Sequence, residues 1–340
     1  MKYLKRSATA VTLASLALLT SGCTPPTQAA SGPTSAADAS KQLKVGFFGF
    51  AKSNGFAQGT FLGVEQAAKA NNATATFVDP NFNAQTQVQQ IQDAVTSKQF
   101  EVIVVQANDN QALIAPLQQA VQAGITVVVE FSIIGPKFDT VEPQIPGAIS
   151  IVDLPTSNGK ILGEMGKEAC ATVPGDTCKV AYLEGFKSLP LDNARTDAVK
   201  AELATDPRIK LVASVEGGYT QDGGRQAFQN VSQANPDVDV VIGASQAITG
   251  AAAAAGSSDI KFIGNGASKS NVEAVRSGKW FSIYVSDVVA NGAKATELGL
   301  AKARGEQVET AVDEAALAPN RAKGTKQALD AANYVSKYSD

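Results

Sequence analysis

The sequence predicts an α/β fold of two tandem lobes, each built on a parallel sheet covered by helices. Residues 43–79 show the repeating unit, which consists of an apolar strand, a polar turn, a helix and a second strand. This unit recurs along the chain, and 340 residues are enough for two domains. Ligands of such parallel sheets bind beyond the carboxyl ends of the strands. We therefore expect the loop at residues 52–56 to lie at a binding edge.

The first lobe is expected to begin with the apolar strand at residues 45–50. Phe56, Phe61, Val64 and Ala68 then follow at helical spacing. Runs that are almost entirely apolar, such as residues 102–106, are typical of strands covered on both faces. The other predicted elements of this lobe are strands at residues 75–78, 125–129 and 149–152, and helices at residues 85–97 and 113–123.

A second series of strands and helices begins at residue 156. The predicted helices are residues 157–171, 193–204, 224–234, 245–255, 272–277, 289–304 and 326–338. The predicted strands are residues 180–183, 211–215, 238–243, 260–263 and 280–285, with a last strand near residues 315–317.

Strands near residues 148–155 and 282–290 are expected to pass from one lobe to the other. The predicted N-terminal lobe is therefore residues 41–150 plus about 286–314, and the C-terminal lobe is residues 151–285 plus about 315–340.

Residues 1–23 are typical of an export signal. Three basic residues precede an apolar segment, residues 7–19, that is too short to span a membrane. The segment is followed by Thr20-Ser-Gly-Cys23, which resembles the bacterial lipobox, although Thr20 stands where a leucine is usual. This resemblance implies a lipid on Cys23, and the alternative is an ordinary secretory signal with a soluble periplasmic product. Residues 24–40 lack large apolar side chains and are expected to form a flexible tether.

The composition argues against nucleic-acid binding and against most enzymes. The chain has 44% apolar and 18% charged residues, and 29 basic against 32 acidic residues leave a net charge of −3. It therefore has no cationic surplus for nucleic acid. It also contains no histidine, which is the most frequent acid–base catalyst at neutral pH and a frequent metal ligand. We expect no catalysis, no metal and no organic cofactor.

Two further cysteines, Cys170 and Cys178, flank a turn-rich segment. In an exported protein this arrangement predicts a disulfide bond. A cysteine nucleophile is not expected, because the chain has no histidine to activate the thiol.

The order of elements resembles the type I periplasmic binding proteins, in the branch that serves ribose and related sugars in ABC importers. The resemblance covers almost all of the chain after residue 40, and it rests on residues 45–56, 125–132, 158–160, 235–238, 262–264 and 277–279 with Gly292. It implies two Rossmann-like lobes joined by a multi-strand hinge. It also implies a monomer that closes on one small ligand and presents it to a permease at the outer face of a membrane.

The same resemblance implies a ligand site between the lobes. Its predicted residues are Phe50, Asn54, Phe56, Glu130, Phe131, Ser132, Asn193, Tyr219, Ser245, Gln246, Asn265, Gly266 and Ser286.

Several of these positions depart from the ribose-type pattern. Phe131 and Ser132 stand where that pattern has an Asp-Arg pair, and its second-lobe arginine falls on Asn193, with Arg195 expected to cap or brace the helix. The later positions at which the ribose-type pattern has Asn, Asp and Gln hold Ser245, Gly266 and Ser286 in this sequence. These departures replace charged or strongly polar groups by aromatic, small or neutral ones. A neutral sugar, deoxy sugar or polyol is therefore expected, with a nucleoside or a less polar metabolite as the alternative.

Three other functions are weighed against this interpretation. A nucleotide-using enzyme is disfavoured, because the glycines near the first strand do not form a compact G-x-G-x-x-G, although Asp79 ends the second strand as an acid can. A DNA-binding repressor with the same lobes would need a helix-turn-helix where the signal and tether lie. A chemosensory receptor that uses the same closed lobes remains an alternative to transport.

Overall fold

Two six-stranded sheets, each flanked by helices, make up the computed structural model, which describes residues 41–339. The predicted signal, the tether and Cys23 lie outside these residues. The strands, in chain order, are β1 (Leu43–Phe48), β2 (Ala73–Val78), β3 (Val102–Val105), β4 (Thr126–Phe131), β5 (Ile149–Val152), β6 (Cys178–Glu184), β7 (Ile209–Glu216), β8 (Val240–Ala244), β9 (Lys261–Asn265), β10 (Ser282–Tyr284), β11 (Ala311–Asp313) and β12 (Lys323–Thr325).

Eleven α-helices are present among the described residues. They are α1 (Gly55–Ala70), α2 (Ala84–Ser97), α3 (Ile114–Gln122), α4 (Pro155–Cys170), α5 (Pro190–Leu203), α6 (Gln221–Ala234), α7 (Ser245–Ala255), α8 (Lys269–Arg276), α9 (Val288–Ala303), α10 (Glu314–Leu317) and α11 (Lys326–Ala331), with a short 3₁₀ turn at Pro319–Ala322.

The strand order confirms the predicted fold class. The first sheet runs β11-β5-β4-β3-β1-β2 and the second runs β12-β10-β9-β8-β6-β7. Every pair in the first sheet is parallel, and in the second only the β10–β12 pair is antiparallel. We call each sheet with its helices a lobe, N-terminal and C-terminal. Parallel pairing brings the loops after β1, β3 and β4 to one edge of the N-terminal lobe.

The apolar strands form because both of their faces are covered. All four residues of β3 are fully buried, as expected of a central parallel strand. Ile103 joins the core on one face of the sheet, and Val104 joins the core on the other face. In the C-terminal lobe, β8 occupies the same central position and is buried along its whole length.

The chain passes between the lobes at three points within residues 41–339. The first passage leads from β5 of the first sheet to α4, which packs on α5 of the second lobe. The second leads from β10 back to α9, which packs on α1, β3 and β4. The third leads from β11 through α10 to β12. These passages bring Asp153, Ser286 and Glu314 close to the region between the lobes.

Two predictions near the C-terminus are wrong. The strand expected near residues 315–317 is the helix Glu314–Leu317, and the strand lies at Ala311–Asp313. The Asp313 carboxylate accepts a hydrogen bond from the Ala315 N–H at 3.0 Å and so caps the helix, which the apolar Ala-Ala-Leu run does not reveal. The terminal helix expected over residues 326–338 ends at Ala331, and Asn333 adopts a left-handed backbone with a φ of 47°.

The predicted disulfide between Cys170 and Cys178 is confirmed. It joins the last residue of α4 to the first residue of β6. In the part of the chain that the structure describes, no helix has both the length and the apolar character needed to cross a membrane.

Candidate functional site

Three phenylalanine rings meet at the carboxyl edge of the N-terminal lobe. Phe50 follows β1, Phe56 lies in the first turn of α1, and Phe131 is the last residue of β4. The ring centroid of Phe131 lies 4.8 Å from that of Phe56 and 6.1 Å from that of Phe50, with ring planes at 64° and 87°. Such edge-to-face contacts are favourable. All three rings are only partly buried, so the cluster can offer ring surface to a ligand.

The backbone of Phe131 is held in an unfavourable conformation. Its φ is +60°, and the Ser132 N–H donates to the Glu130 carbonyl oxygen at 2.7 Å, which closes a tight three-residue turn. A bulky residue rarely adopts a positive φ, and such strain is most often found at functional sites. Here the turn ends β4 and turns the Phe131 ring toward the other two.

Asn54 stabilises the N-terminus of helix α1. It is the N-cap of α1, and its side-chain oxygen accepts a hydrogen bond from the Ala57 N–H at 2.8 Å. Within residues 41–339, the side-chain nitrogen of Asn54 has no hydrogen-bond partner, so this amide group is the part of the residue that can donate to a ligand.

Next to the backbone of Phe131 lies a pair of buried carboxyl groups, Glu130 and Glu314. The Gln106 side-chain nitrogen donates to Glu130 Oε2 at 2.8 Å, and the Phe131 N–H donates to Glu314 Oε1 at 3.1 Å. Among the described residues, Glu130 Oε1 and Glu314 Oε2 have no hydrogen-bond partner. Burial raises the pKa of Glu130 to about 8, and burial together with the neighbouring Glu130 and Asp153 raises the pKa of Glu314 well above its ordinary value. Glu130 is therefore largely protonated at pH 7, and it is fully buried.

In the C-terminal lobe, Tyr219 belongs to a buried polar network. Its hydroxyl donates to Asp192 Oδ1 at 2.5 Å, and Arg195 Nη1 donates to the same carboxylate oxygen at 2.8 Å. Arg195 also lies 3.9 Å from Asp153, which follows β5. Since the hydroxyl of Tyr219 is committed to this network, its ring, which packs 5.3 Å from that of Phe186, is the part that can contact a ligand. Arg195 braces α5 against the passage between the lobes.

Asn193 lies between the two charged residues of this network but does not join it. Its side chain is exposed, and its amide donates to the Lys187 carbonyl oxygen at 3.0 Å. Asp192 and Arg195, on either side, are buried. The ligand-contact role predicted for Asn193 stays a prediction.

Ser245 and Gly266 are brought into contact at the carboxyl edge of the second sheet. Ser245 begins α7 and is buried, and its hydroxyl lies 3.4 Å from Gln246 Oε1. Gly266 has a φ of +139°, and a Cβ at this position would lie 2.4 Å from Ser245 Oγ. Glycine is therefore required at residue 266 by both its conformation and its space.

Asn265 and Ser286 differ in how their polar groups are used. Asn265 exchanges two amide hydrogen bonds with Asn158, at 3.2 and 3.3 Å, and Asn158 also donates to Asp153 at 2.8 Å. Ser286, in the passage after β10, is buried, and its hydroxyl has no partner in the described part of the chain. A buried hydroxyl of this kind needs a partner, which a ligand or a water molecule can supply.

Two tyrosines that sequence reasoning missed also lie here. The Tyr284 hydroxyl donates to Asp153 Oδ1 at 2.5 Å, and burial raises the pKa of Asp153 to about 6 even though Arg195 opposes the shift. Tyr338, close to the C-terminus, packs its ring 6.3 Å from that of Phe56. No local pattern marks Tyr338, because it follows a short polar segment far from its partners in sequence.

Between residues 41 and 339, no group of three or more cysteine or acidic side chains lies close enough together to hold a metal ion.

Comparison with known proteins identifies the class. A profile described as the periplasmic binding protein domain matches residues 45–307. The chain therefore belongs to the periplasmic binding protein family, as its resemblance implied. Members of this family are transport binding proteins that act outside the cytoplasm.

Particular relatives are similar over most of the chain. The ribose import binding protein RbsB of Salmonella typhimurium is 22% identical over 251 residues, which cover 73% of this chain and 80% of the relative. An ABC transporter periplasmic solute binding protein from Actinobacillus succinogenes, with bound D-allose, superposes with a TM-score of 0.74 at 20% identity over 86% of this chain and 100% of its own. An ABC transporter solute binding protein from Bacillus halodurans, with bound myo-inositol, superposes with a TM-score of 0.72 at 18% identity over 87% of this chain and 99% of its own.

Proposed function

We propose that this chain is the solute-binding protein of an ABC importer and that it binds one small uncharged sugar or polyol between its lobes. The observation that carries the proposal is the cluster of Phe50, Phe56 and Phe131 at the carboxyl edge of the N-terminal lobe. Partly exposed rings at this edge suit the apolar C–H faces of a sugar ring, and a few polar groups around them can fix its orientation.

The polar groups offered by the predicted site are neutral. They include the side-chain amide of Asn54 and the hydroxyls of Ser245 and Ser286, and the ring face of Tyr219 adds aromatic surface. Glu130, the one carboxylic acid among the predicted site residues, is protonated at neutral pH because burial raises its pKa to about 8. A charged ligand would lose its hydration here without gaining an ionic partner from these residues, so a neutral ligand is favoured.

We infer that the two lobes close around the ligand by bending at the three chain passages, with residues 41–150 and about 286–314 forming one lobe and residues 151–285 and about 315–340 the other. Hinge closure of this kind is familiar in binding proteins of two lobes. The closed form is then the one that a permease recognises. No reaction is catalysed in this scheme, and a monomer suffices.

The N-terminal sequence supports an attachment to the outer face of a membrane. Cys23 would carry the lipid, and residues 24–40 would form the tether that leaves the lobes free to reach the permease. Metabolic labelling with a radioactive fatty acid tests this point, because Cys23→Ser must abolish the label if the cysteine is the acceptor. Label that persists in the variant would contradict the assignment.

A thermal-shift screen of the purified protein tests the ligand class. The panel contains D-ribose, D-allose, D-tagatose, myo-inositol, nucleosides and small apolar metabolites. A ligand that binds only the folded protein stabilises it by about 2.7 kcal/mol at a hundredfold excess over its dissociation constant. Hits among sugars or polyols support the proposal. Hits only among nucleosides or apolar metabolites would preserve the binding role but overturn the ligand class.

Asn54 allows a variant that separates ligand contact from folding. Asn54→Ser keeps a good N-cap for α1 but removes the amide nitrogen, so we expect affinity for the hit to fall while the unliganded melting temperature changes little. Asn83→Ser is the matched control, because Asn83 is an exposed N-cap of α2 outside the predicted site and its side-chain oxygen accepts from the Thr86 N–H at 2.8 Å. Equal losses of affinity in the two variants would contradict a specific role for Asn54.

A further inference from the structure

The end of the chain forms a segment that contacts both lobes. We call residues 332–339, which follow α11, the C-terminal strap. Its residue Tyr334 packs in the core of the C-terminal lobe, so the strap is rooted there. Its residue Tyr338 is only 5% exposed. The burial of Tyr334 and Tyr338 indicates that the strap between them is held in place by contacts.

Tyr338 packs deeply against the N-terminal lobe. Its ring lies 6.3 Å from that of Phe56 at 79°, and it shares an apolar cluster with Val288 and Val289 of α9. On α1, a Cβ at Gly59 would lie 2.7 Å from the Cβ of Tyr338 and 2.7 Å from a methyl group of Val288. Gly59 therefore provides the space into which Tyr338 fits.

The same residue is hydrogen-bonded to the C-terminal lobe. The Ala267 N–H donates to the Tyr338 hydroxyl oxygen at 2.9 Å, and the Lys269 N–H donates to the Tyr338 carbonyl oxygen at 3.0 Å. Both donors lie in the segment that leads from β9 into α8, next to Gly266. The hydroxyl lies 3.8 Å from where a Cβ of Gly266 would stand. Tyr338 thus links Phe56 and Gly266, which are predicted site residues on opposite lobes.

We propose that Tyr338 is a positioning residue of the ligand site and that the C-terminal strap ties the two lobes together beside it. The ring fixes the orientation of Phe56, and the two hydrogen bonds fix the segment around Gly266. Both sides of the site are then held before a ligand arrives, which lowers the ordering cost of binding. The effect on ligand affinity rests on the proposed function, whereas the tie between the lobes does not.

Hydrogen exchange of the ligand-free protein tests the tie by itself. Tyr338→Phe removes the acceptor for the Ala267 N–H but keeps the ring, so exchange should become faster at Ala267 and stay unchanged in residues 56–63. Tyr338→Ala should speed exchange in both places, because the ring also packs on α1. Val335→Ala, an apolar truncation in the same strap at a side chain that is 70% exposed, is the matched control and should change neither.

A double-mutant cycle with Gly59 tests the packing from the other side. Alanine is a better helix former than glycine, but Gly59→Ala must collide with Tyr338 and Val288. We therefore expect it to lower the melting temperature of the wild-type protein and to lower it less in the Tyr338→Ala background. Equal effects in the two backgrounds would show that Gly59 and Tyr338 are not coupled.

Calorimetric titration with D-allose and myo-inositol tests the link to the site. We expect Tyr338→Ala to weaken binding by about tenfold or more, Tyr338→Phe to weaken it by less, and Val335→Ala to leave it unchanged. Wild-type affinity in Tyr338→Ala would overturn the positioning role. If no sugar or polyol of the thermal-shift panel binds the wild-type protein, the proposed ligand class is in error, and the exchange experiment still decides the tie between the lobes. Unchanged exchange in Tyr338→Ala would overturn that tie.

Discussion

The buried carboxyl pair Glu130–Glu314 should make the protein less stable as pH rises. Burial raises the pKa of Glu130 from its ordinary value of 4.5 to about 8, so between these values the folded protein holds a proton that the unfolded chain releases. The free energy of unfolding therefore falls as pH increases through this window, and the contribution is fully lost above it. The pKa of Glu314 is raised in the same direction, which adds to the effect.

The size of the effect follows from the shift. One pKa unit corresponds to about 1.4 kcal/mol. At pH 7, roughly 2.5 units above its ordinary pKa, Glu130 is protonated in the folded protein but ionised in the unfolded chain. The free energy of unfolding therefore declines by on the order of 3 kcal/mol between pH 4.5 and pH 7. Among the described residues, no group that acts on Glu130 outweighs its burial. Gln106 lowers its pKa by a hydrogen bond, and Glu130 and Asp153 both raise the pKa of the neighbouring Glu314.

Glu130→Gln isolates this contribution. The Gln106 side-chain nitrogen can donate to the new amide oxygen as it does to Glu130 Oε2, so the shape of the site is kept. Urea unfolding at pH 5, 6, 7 and 8 should show the variant close to the wild type at pH 5 and increasingly more stable above it. Glu297→Gln, at an exposed carboxylate of α9, is the control and should follow the wild type at every pH.

An equal stability difference between Glu130→Gln and the wild type at all four pH values would contradict the raised pKa of Glu130. A variant that becomes relatively less stable as pH rises would contradict it as well, because that sign would require an ionised Glu130 that the fold stabilises.

Three further changes give equally definite expectations. Phe131→Gly removes the strained φ of +60° together with the ring, so affinity for the ligand in calorimetric titration should fall while urea stability is largely kept; a large loss of stability would show that the ring is needed mainly for folding. Arg195→Met leaves Asp192 buried without its cationic partner and should destabilise the protein by about 3–5 kcal/mol in urea unfolding, whereas a cost below about 1 kcal/mol would contradict a buried ion pair. Replacing Cys170 and Cys178 together by serine should lower the free energy of unfolding by about 2–3 kcal/mol, because the bond closes a short loop. If the wild-type protein is equally stable with and without a reducing agent, this expectation is contradicted.

Most of the fold could be predicted because its strands are covered on both faces. Such strands appear as short apolar runs between polar turns, and the run predicted at residues 102–106 is the strand Val102–Val105. The two errors lie near the C-terminus. There the apolar run at residues 315–317 is capped into a helix by Asp313. The helix predicted to reach residue 338 ends at Ala331, and the tertiary contacts of Tyr334 and Tyr338 hold the segment that follows.

The candidate site was predictable only where local patterns mark it. Asn54 and Phe56 follow a strand and begin a helix, so their location at the binding edge follows from the order of elements. Asp192 and Arg195 are one helical turn apart, and their pairing could also have been found from spacing. The contacts of Tyr338 could not be predicted from the sequence, because its partners Gly59 and Ala267 lie about 280 and 70 residues away along the chain and no periodicity connects them.

The charges described around the site are arranged so that recognition depends on shape and neutral hydrogen bonds. Arg195 is paired with Asp192 and lies close to Asp153, while Glu130 and Glu314 are buried with raised pKa values. Neutral contacts are individually weak, since each replaces a bond to water. For the proposed sugar or polyol ligand, affinity would then have to come from a site whose polar groups are oriented before binding. In that proposal, the strained turn at Phe131 and the C-terminal strap provide this order on the two sides of Phe56.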